Sequence, residues 1–162
     1  METKTIKNYL YEGLGFPVEL EEVKLEKLLD GWAPIVDVEK VAKEAVKALA
    51  SHTSRLTGNQ IKFIRHYFSM TLRDFASKVV SESHVAVVKW EKCANESSNM
   101  DINIEKMIRL YIYEKMFGQS NFYNYYINIR ECDFIHNDNK VLKISISDVN
   151  DYKSIESAIV AN

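Results

Sequence analysis

The sequence predicts a mainly α protein: a four- to five-helix helix-turn-helix domain with small β elements at its N- and C-terminal flanks. Three observations predict it. Apolar residues recur at helical spacing in four short segments between residues 57 and 117. The first three segments each follow a hydroxyl residue able to cap a helix, namely Thr57, Thr71 and Ser83. The second and third are separated only by a short polar stretch around Ser81, Glu82 and Ser83, the length of a tight helix-to-helix turn.

Taken in order, residues 1–54 form an extended or hairpin segment followed by a helix. Val18 and Leu20, then Val23 and Leu25, alternate in part, and Gly15, Pro17, Gly31 and Pro34 punctuate both sides. This predicts extended structure with a hairpin to Ala33–Val36; a short helix across Leu20–Leu29 is the competing assignment. Val38, Val41, Ala42, Ala45, Val46 and Leu49 then mark a helix capped by Asp37. Residues 55–118 form the helix-turn-helix domain. Thr57 and Gln60 fit a capping box, so a helix opens at Gly58 and carries Ile61, Phe63, Ile64, Tyr67 and Phe68. Thr71 and Asp74 repeat that box ahead of Leu72, Phe75, Ala76 and Val79. The third helix follows Ser83 as HVAVVKWEK, and the fourth holds Ile104, Met107, Ile108, Tyr111 and Ile112, ending near Gly118. Residues 119–162 form a β-rich extension: NFYNYYINI and VLKISIS are rich in aromatic and β-branched residues and predict two antiparallel strands around HNDN, with a short helix in SIESAIVAN.

The composition narrows the function classes. The 162 residues are 46% hydrophobic and 27% charged, enough for a core and a soluble surface. No apolar run of about 18 residues exists to span a bilayer, and no apolar stretch follows the N-terminal lysines, so a cytoplasmic protein is expected. Cys93 and Cys132 lie outside any CxxC pair, and His52, His66, His84 and His136 show no metal-binding spacing. No cofactor or metal is expected. His136 and Asp138 lie close to Cys132 in sequence, but nothing holds a base against a nucleophile, so no enzyme is expected. The net charge of −2 hides a local excess: residues 55–92 hold seven basic and three acidic residues, whereas 1–54 and 93–162 are each −3. A basic middle between acidic arms is the footprint of a polyanion-binding surface.

The stretch LTGNQIKFIRHYFSMTLRDFASKVVSESHVAVVKWEK resembles the helix-turn-helix of XRE-type regulators. More narrowly, it resembles the DNA-binding half of MqsA-type antitoxins. Leu56, Thr57 and Gly58 match the opening of that domain, Lys62 and Arg65 its first helix, Thr71 the cap of its second, and Trp90, Glu91 and Lys92 the aromatic-Glu-Lys end of its third. The likeness spans roughly residues 9–117 and is most specific over 56–92. Three departures stand out. The zinc domain with two CxxC pairs is absent from the sequence. Cys93 replaces the glycine that usually follows the motif. Val85 and Lys89 stand where the antitoxins carry Asn and Arg.

The resemblance implies an XRE-like domain whose third helix enters the major groove. Lys89 is then the leading base or phosphate contact, with His84 at the helix start and Val85 and Val88 able to meet a thymine methyl. Arg73, Thr71 and Ser83 would grip the DNA backbone at helix starts, with capping as the alternative role of the two hydroxyls. Lys62 and Arg65 are further basic candidates. Trp90, Phe75 and Ala76 belong to the core, and Tyr123, Tyr125 and Tyr126 suit packing better than base stacking. The expected function is a DNA-binding repressor acting as a homodimer on a palindromic operator, and by resemblance the antitoxin of a toxin–antitoxin pair. A stand-alone regulator and a protein-interaction module without DNA binding are the alternatives.

Overall fold

The computed structural model describes residues 1–135 and 140–145. Three strands, β1 (Thr3–Tyr11), β2 (Val18–Leu28) and β3 (Gly31–Pro34), lead into six helices. These are α1 (Val38–Ser51), α2 (Gly58–Tyr67), α3 (Leu72–Phe75), α4 (His84–Glu91), α5 (Ile102–Phe117) and α6 (Phe122–Glu131); β4 (Leu142–Ser145) follows. A wider π-helical turn over Ala76–Val80 continues α3. The fold is α/β, with a four-stranded mixed sheet beside the helices, and this overturns the mainly α expectation. The predicted HNDN turn and the helix in SIESAIVAN lie outside the described residues.

The sheet is built on β2. β1 pairs with it antiparallel along one edge, from Thr3 opposite Glu26 to Tyr11 opposite Val18. The other edge is shared end to end, with β3 antiparallel to Leu25–Leu28 and β4 parallel to Val18–Glu21. A hairpin runs from β2 into β3, whose strand ends at Pro34 rather than reaching Val36 as expected, and the competing helix across Leu20–Leu29 does not form. The strand pattern was muted because its alternation slips. Val18 and Leu20 face the core, Glu22 takes a left-handed φ of 57°, and Val23 and Leu25 resume on the same face. Opposite them, Ile6 is followed by Tyr9 and Tyr11 with the same slip.

The C-terminal flank departs further from expectation. NFYNYYINI is helical, because Phe122, Tyr125 and Ile129 fall at i, i+3 and i+7 and turn one face to α5. Tyr125 stacks on Tyr113 at 4.0 Å and donates its hydroxyl to the Ala50 carbonyl at 2.6 Å. VLKISIS does supply a strand, but β4 lies parallel on β2 rather than antiparallel to its predecessor in sequence.

Sheet and helices share one core. Val18, Leu20, Val23 and Leu25 join Val46, Leu49, Ile61, Ile64, Phe75, Val87, Ile108, Ile112 and Ile144 in a single buried cluster. Phe16 meets Phe63 edge-on at 5.2 Å, tying the approach to β2 onto α2. At the centre of the helical layer lies a polar network. Glu105 of α5 accepts from Arg55 Nε at 2.5 Å, from Arg109 Nη2 at 2.9 Å and from the Leu56 amide at 2.9 Å. Arg109, fully buried, also donates to the carbonyls of Leu49 and Ser54 at 2.7 Å each and to that of His52. The network supplies donors to the carbonyls at the end of α1 and fixes the entry to α2.

Candidate nucleic-acid interface

The segment from α2 to α4 is held by caps that the sequence specifies. Thr57 and Gln60 make a reciprocal capping box on α2. Thr71 Oγ1 accepts from the Asp74 amide at 3.1 Å and donates to Asp74 Oδ2 at 2.7 Å. That hydroxyl, and then Lys78, hold the Asp74 carboxyl below the usual carboxylate range. Ser83 Oγ accepts from the Ala86 amide at 3.2 Å and starts α4. Between the π turn and α4 the chain reverses at Ser81, whose left-handed backbone (φ 54°, ψ 42°) ends the preceding helix.

Two contacts lock α4 against α2. Gly58 lies so close to the end of α4 that a Cβ there would stand 2.4 Å from the Trp90 carbonyl oxygen and 2.8 Å from that of Glu91. Arg65 meets Glu91 through two bonds, Nε to Oε1 at 2.6 Å and Nη2 to Oε2 at 3.0 Å, and also donates to the Met70 carbonyl. Both side chains are about nine-tenths buried. The pair converts the Glu of the aromatic-Glu-Lys motif into a strut that fixes the angle of α4.

This geometry sorts the predicted site residues. Val87 is buried and Trp90 and Glu91 are half-buried, so they set the inner face of α4. The outer face then carries His84, Val85, Val88 and Lys89, with Lys92 continuing the stripe one turn on; at 3.6 residues per turn, Lys92, Val85 and Lys89 fall within about 60° of one another. Val85 is 50% exposed at the centre of that stripe, and Val88 is half-buried beside it. Arg73 is exposed in the first turn of α3, and Lys62 is exposed on α2. Among the described residues, Lys62, Arg73, Lys89 and Lys92 make no ion pair.

Arg65 does not join them, because Glu91 and the Met70 carbonyl hold it inside. Thr71 uses its hydroxyl as donor and acceptor within its own cap, so capping is the role the geometry gives it. Ser83 caps through its oxygen and keeps its hydroxyl proton for another acceptor. Lys92 was absent from the predicted contacts; its spacing of seven residues from Val85 was the signal. With Arg55 and the Arg65–Glu91 pair turned inward, residues 55–92 still present Lys62, Arg73, Lys78, Lys89 and Lys92 against Asp74 and Glu82. The tyrosines divide: Tyr125 is buried, whereas Tyr123 and Tyr126 are exposed on α6.

Cys93 and Cys132 are free thiols. Among the described residues no helix is long and apolar enough to cross a membrane, and no three His, Cys, Asp or Glu side chains gather to hold a metal ion. Set against family models, curated proteins and solved structures, the chain matches none.

Proposed function

We propose that the protein binds double-stranded DNA by laying the outer face of α4 in the major groove, and that it represses transcription by occupying its site. The observation that carries this is the outward stripe of α4, where Lys89 and Lys92 make no ion pair among the described residues, on a helix braced from behind by Arg65 and Glu91. Lys89 reaches a guanine edge or a phosphate, Val85 meets a thymine methyl, and Arg73 holds the backbone from the start of α3. A homodimer would present two such helices to half-sites about 34 Å apart. The likeness of residues 56–92 to MqsA-type antitoxins supports a place as the antitoxin of a toxin–antitoxin pair that represses its own operon in the cytoplasm. A toxin-like reading frame beside the gene separates that role from a stand-alone regulator.

The test is a fluorescence-anisotropy titration on DNA from upstream of the gene and on scrambled DNA. Tighter binding to the upstream sequence, weakened by Lys89→Ala roughly tenfold as for one charge-assisted contact, is the expected result. Absence of binding to either DNA refutes the proposal and turns the exposed Val85 stripe into a protein-docking face.

A further inference from the structure

A second feature lies away from the α4 stripe. A small cleft of about 30 Å³, open at its mouth, sits where the end of α1, the start of α2 and the α4–α5 connection meet. Every residue lining it carries a polar or charged side chain: His52, Ser54, Arg55, Thr57, Ser97 and Lys140, with Gln60 of the capping box beneath. Ser54 is 3% exposed, yet its hydroxyl has no partner among the described residues, and the same holds for the Ser97 hydroxyl. Buried hydroxyls that stay unpartnered are costly unless a ligand or water answers them. Arg55 uses Nε on Glu105 and Nη2 on the Met100 carbonyl, and Nη1 has no partner among the described residues.

The charge balance points the same way. Arg55 and Arg109 share one carboxylate, Glu105, and no second acid pairs with either guanidinium among the described residues. Carbonyl dipoles from Leu49, His52, Ser54 and Met100 solvate the two cations but carry no net charge. Lys140 adds another cation at the rim, where it donates to Thr53 Oγ1 at 2.8 Å.

We infer that this cleft is a binding site for a small oxyanion, phosphate being the simplest, held by Arg55 and Lys140 and hydrogen-bonded by the Ser54 and Ser97 hydroxyls. At about 30 Å³ the cleft is far below a drug-sized pocket and takes only a group of a few atoms, seated partly in its open mouth. His52, at its wall, is held near pKa 4 by burial and then by Arg109 and Lys140, in keeping with a positive interior. The oxyanion has two sources, a free small ion or metabolite and a phosphate of the DNA backbone, and the site joins the α4–α5 connection to the start of α2 in either case.

Titrating the full, ¹⁵N-labelled chain with potassium phosphate against potassium chloride at matched ionic strength tests this. Saturable shifts of the Ser54, Thr57 and Ser97 amides with phosphate alone are expected, together with a higher unfolding midpoint. Lys140→Ala and Ser97→Ala should each weaken phosphate about tenfold, the worth of one charge-assisted hydrogen bond. Neither change threatens the fold, since Lys140 is exposed and the Ser97 hydroxyl bonds nothing among the described residues. If upstream DNA moves the same amides and competes with phosphate, the DNA backbone is the source. If phosphate binds equally with DNA present, or DNA does not bind at all, the ligand is a free oxyanion. Shifts that follow ionic strength alike in both salts, and alike in both variants, overturn the inference.

Discussion

Replacing Glu91 by Gln is the perturbation that asks most of the structure. It keeps the shape of the side chain but leaves the Arg65 guanidinium, 10% exposed, without its counter-charge. Removing one partner of a buried ion pair costs about 3–5 kcal/mol, because the remaining charge stays desolvated. Here the lower end applies: Gln can still accept one bond, and Arg65 keeps the Met70 carbonyl at 3.0 Å. A loss of roughly 3 kcal/mol is a large share of a typical 5–15 kcal/mol and corresponds to a fall of roughly 6–12 °C in the unfolding midpoint for a domain of this size. Circular dichroism during thermal and urea unfolding gives both numbers. The double variant Arg65→Met with Glu91→Met is the control. It removes both charges and fills the space with flexible apolar chains, so much of the loss should be recovered. A Glu91→Gln protein within about 1 kcal/mol of wild type would refute the reasoning, as would a double variant no better than the single one.

Two other perturbations follow. Gly58→Ala puts a methyl 2.4 Å from the Trp90 carbonyl and 2.7 Å from the Ala94 amide nitrogen, so it should destabilise by about 1–3 kcal/mol, as overpacking does, even though alanine favours helices; urea midpoints decide this. His52 gives the pH dependence. Its pKa is lowered to about 4 by burial, with Arg109 and Lys140 adding to the effect, while the unfolded chain takes up that proton near 6.5. The folded state thus resists the proton. Its contribution is intact above pH 6.5 and is lost as pH falls through the window to 4, at most about 3 kcal/mol. Urea midpoints at pH 7 and pH 4.5 should differ by more in wild type than in His52→Gln.

What was legible in the sequence was local. Thr57 with Gln60, Thr71 with Asp74, and Ser83 specify helix starts by chemistry that needs no distant partner, and the structure places all three caps where the residues dictate. The outward position of His84, Val85 and Lys89 followed from helical spacing in the same way. What was hidden depended on the rest of the chain. β1 and β2 lose their plain alternation at Glu22, so a two-residue period counted along either strand fails halfway. Phe122, Tyr125 and Ile129 have strand-loving side chains, but the aromatic face of α5 at Tyr113 and Phe117 rewards helical spacing instead. β4 reaches β2 across more than a hundred residues, a parallel pairing that no turn chemistry announces.

Arg65 departs from its expected place on the surface for a related reason. A basic residue in a basic segment looks like a DNA contact, and only the fold shows Glu91 closing on it. The buried Glu105–Arg109 pair had a weak signal, since the two lie four residues apart in a row with Ile108 and Ile112. Their third partner, Arg55, sits fifty residues upstream and could not be paired from sequence spacing.

The most direct measurement of the proposed DNA binding is the slope of log affinity against log salt concentration on upstream DNA, for wild type, Lys89→Ala, Lys92→Ala and Lys43→Ala, a lysine of α1. Each lysine that neutralises a phosphate should contribute about −0.9 to that slope. The wild-type slope should therefore be steep, and it should flatten by about one on loss of Lys92, or of Lys89 where that residue grips a phosphate rather than a guanine. Lys43→Ala should leave it unchanged. A slope near zero, or one that loses as much with Lys43 as with Lys89 and Lys92, would contradict the assignment of α4 as the helix that meets DNA.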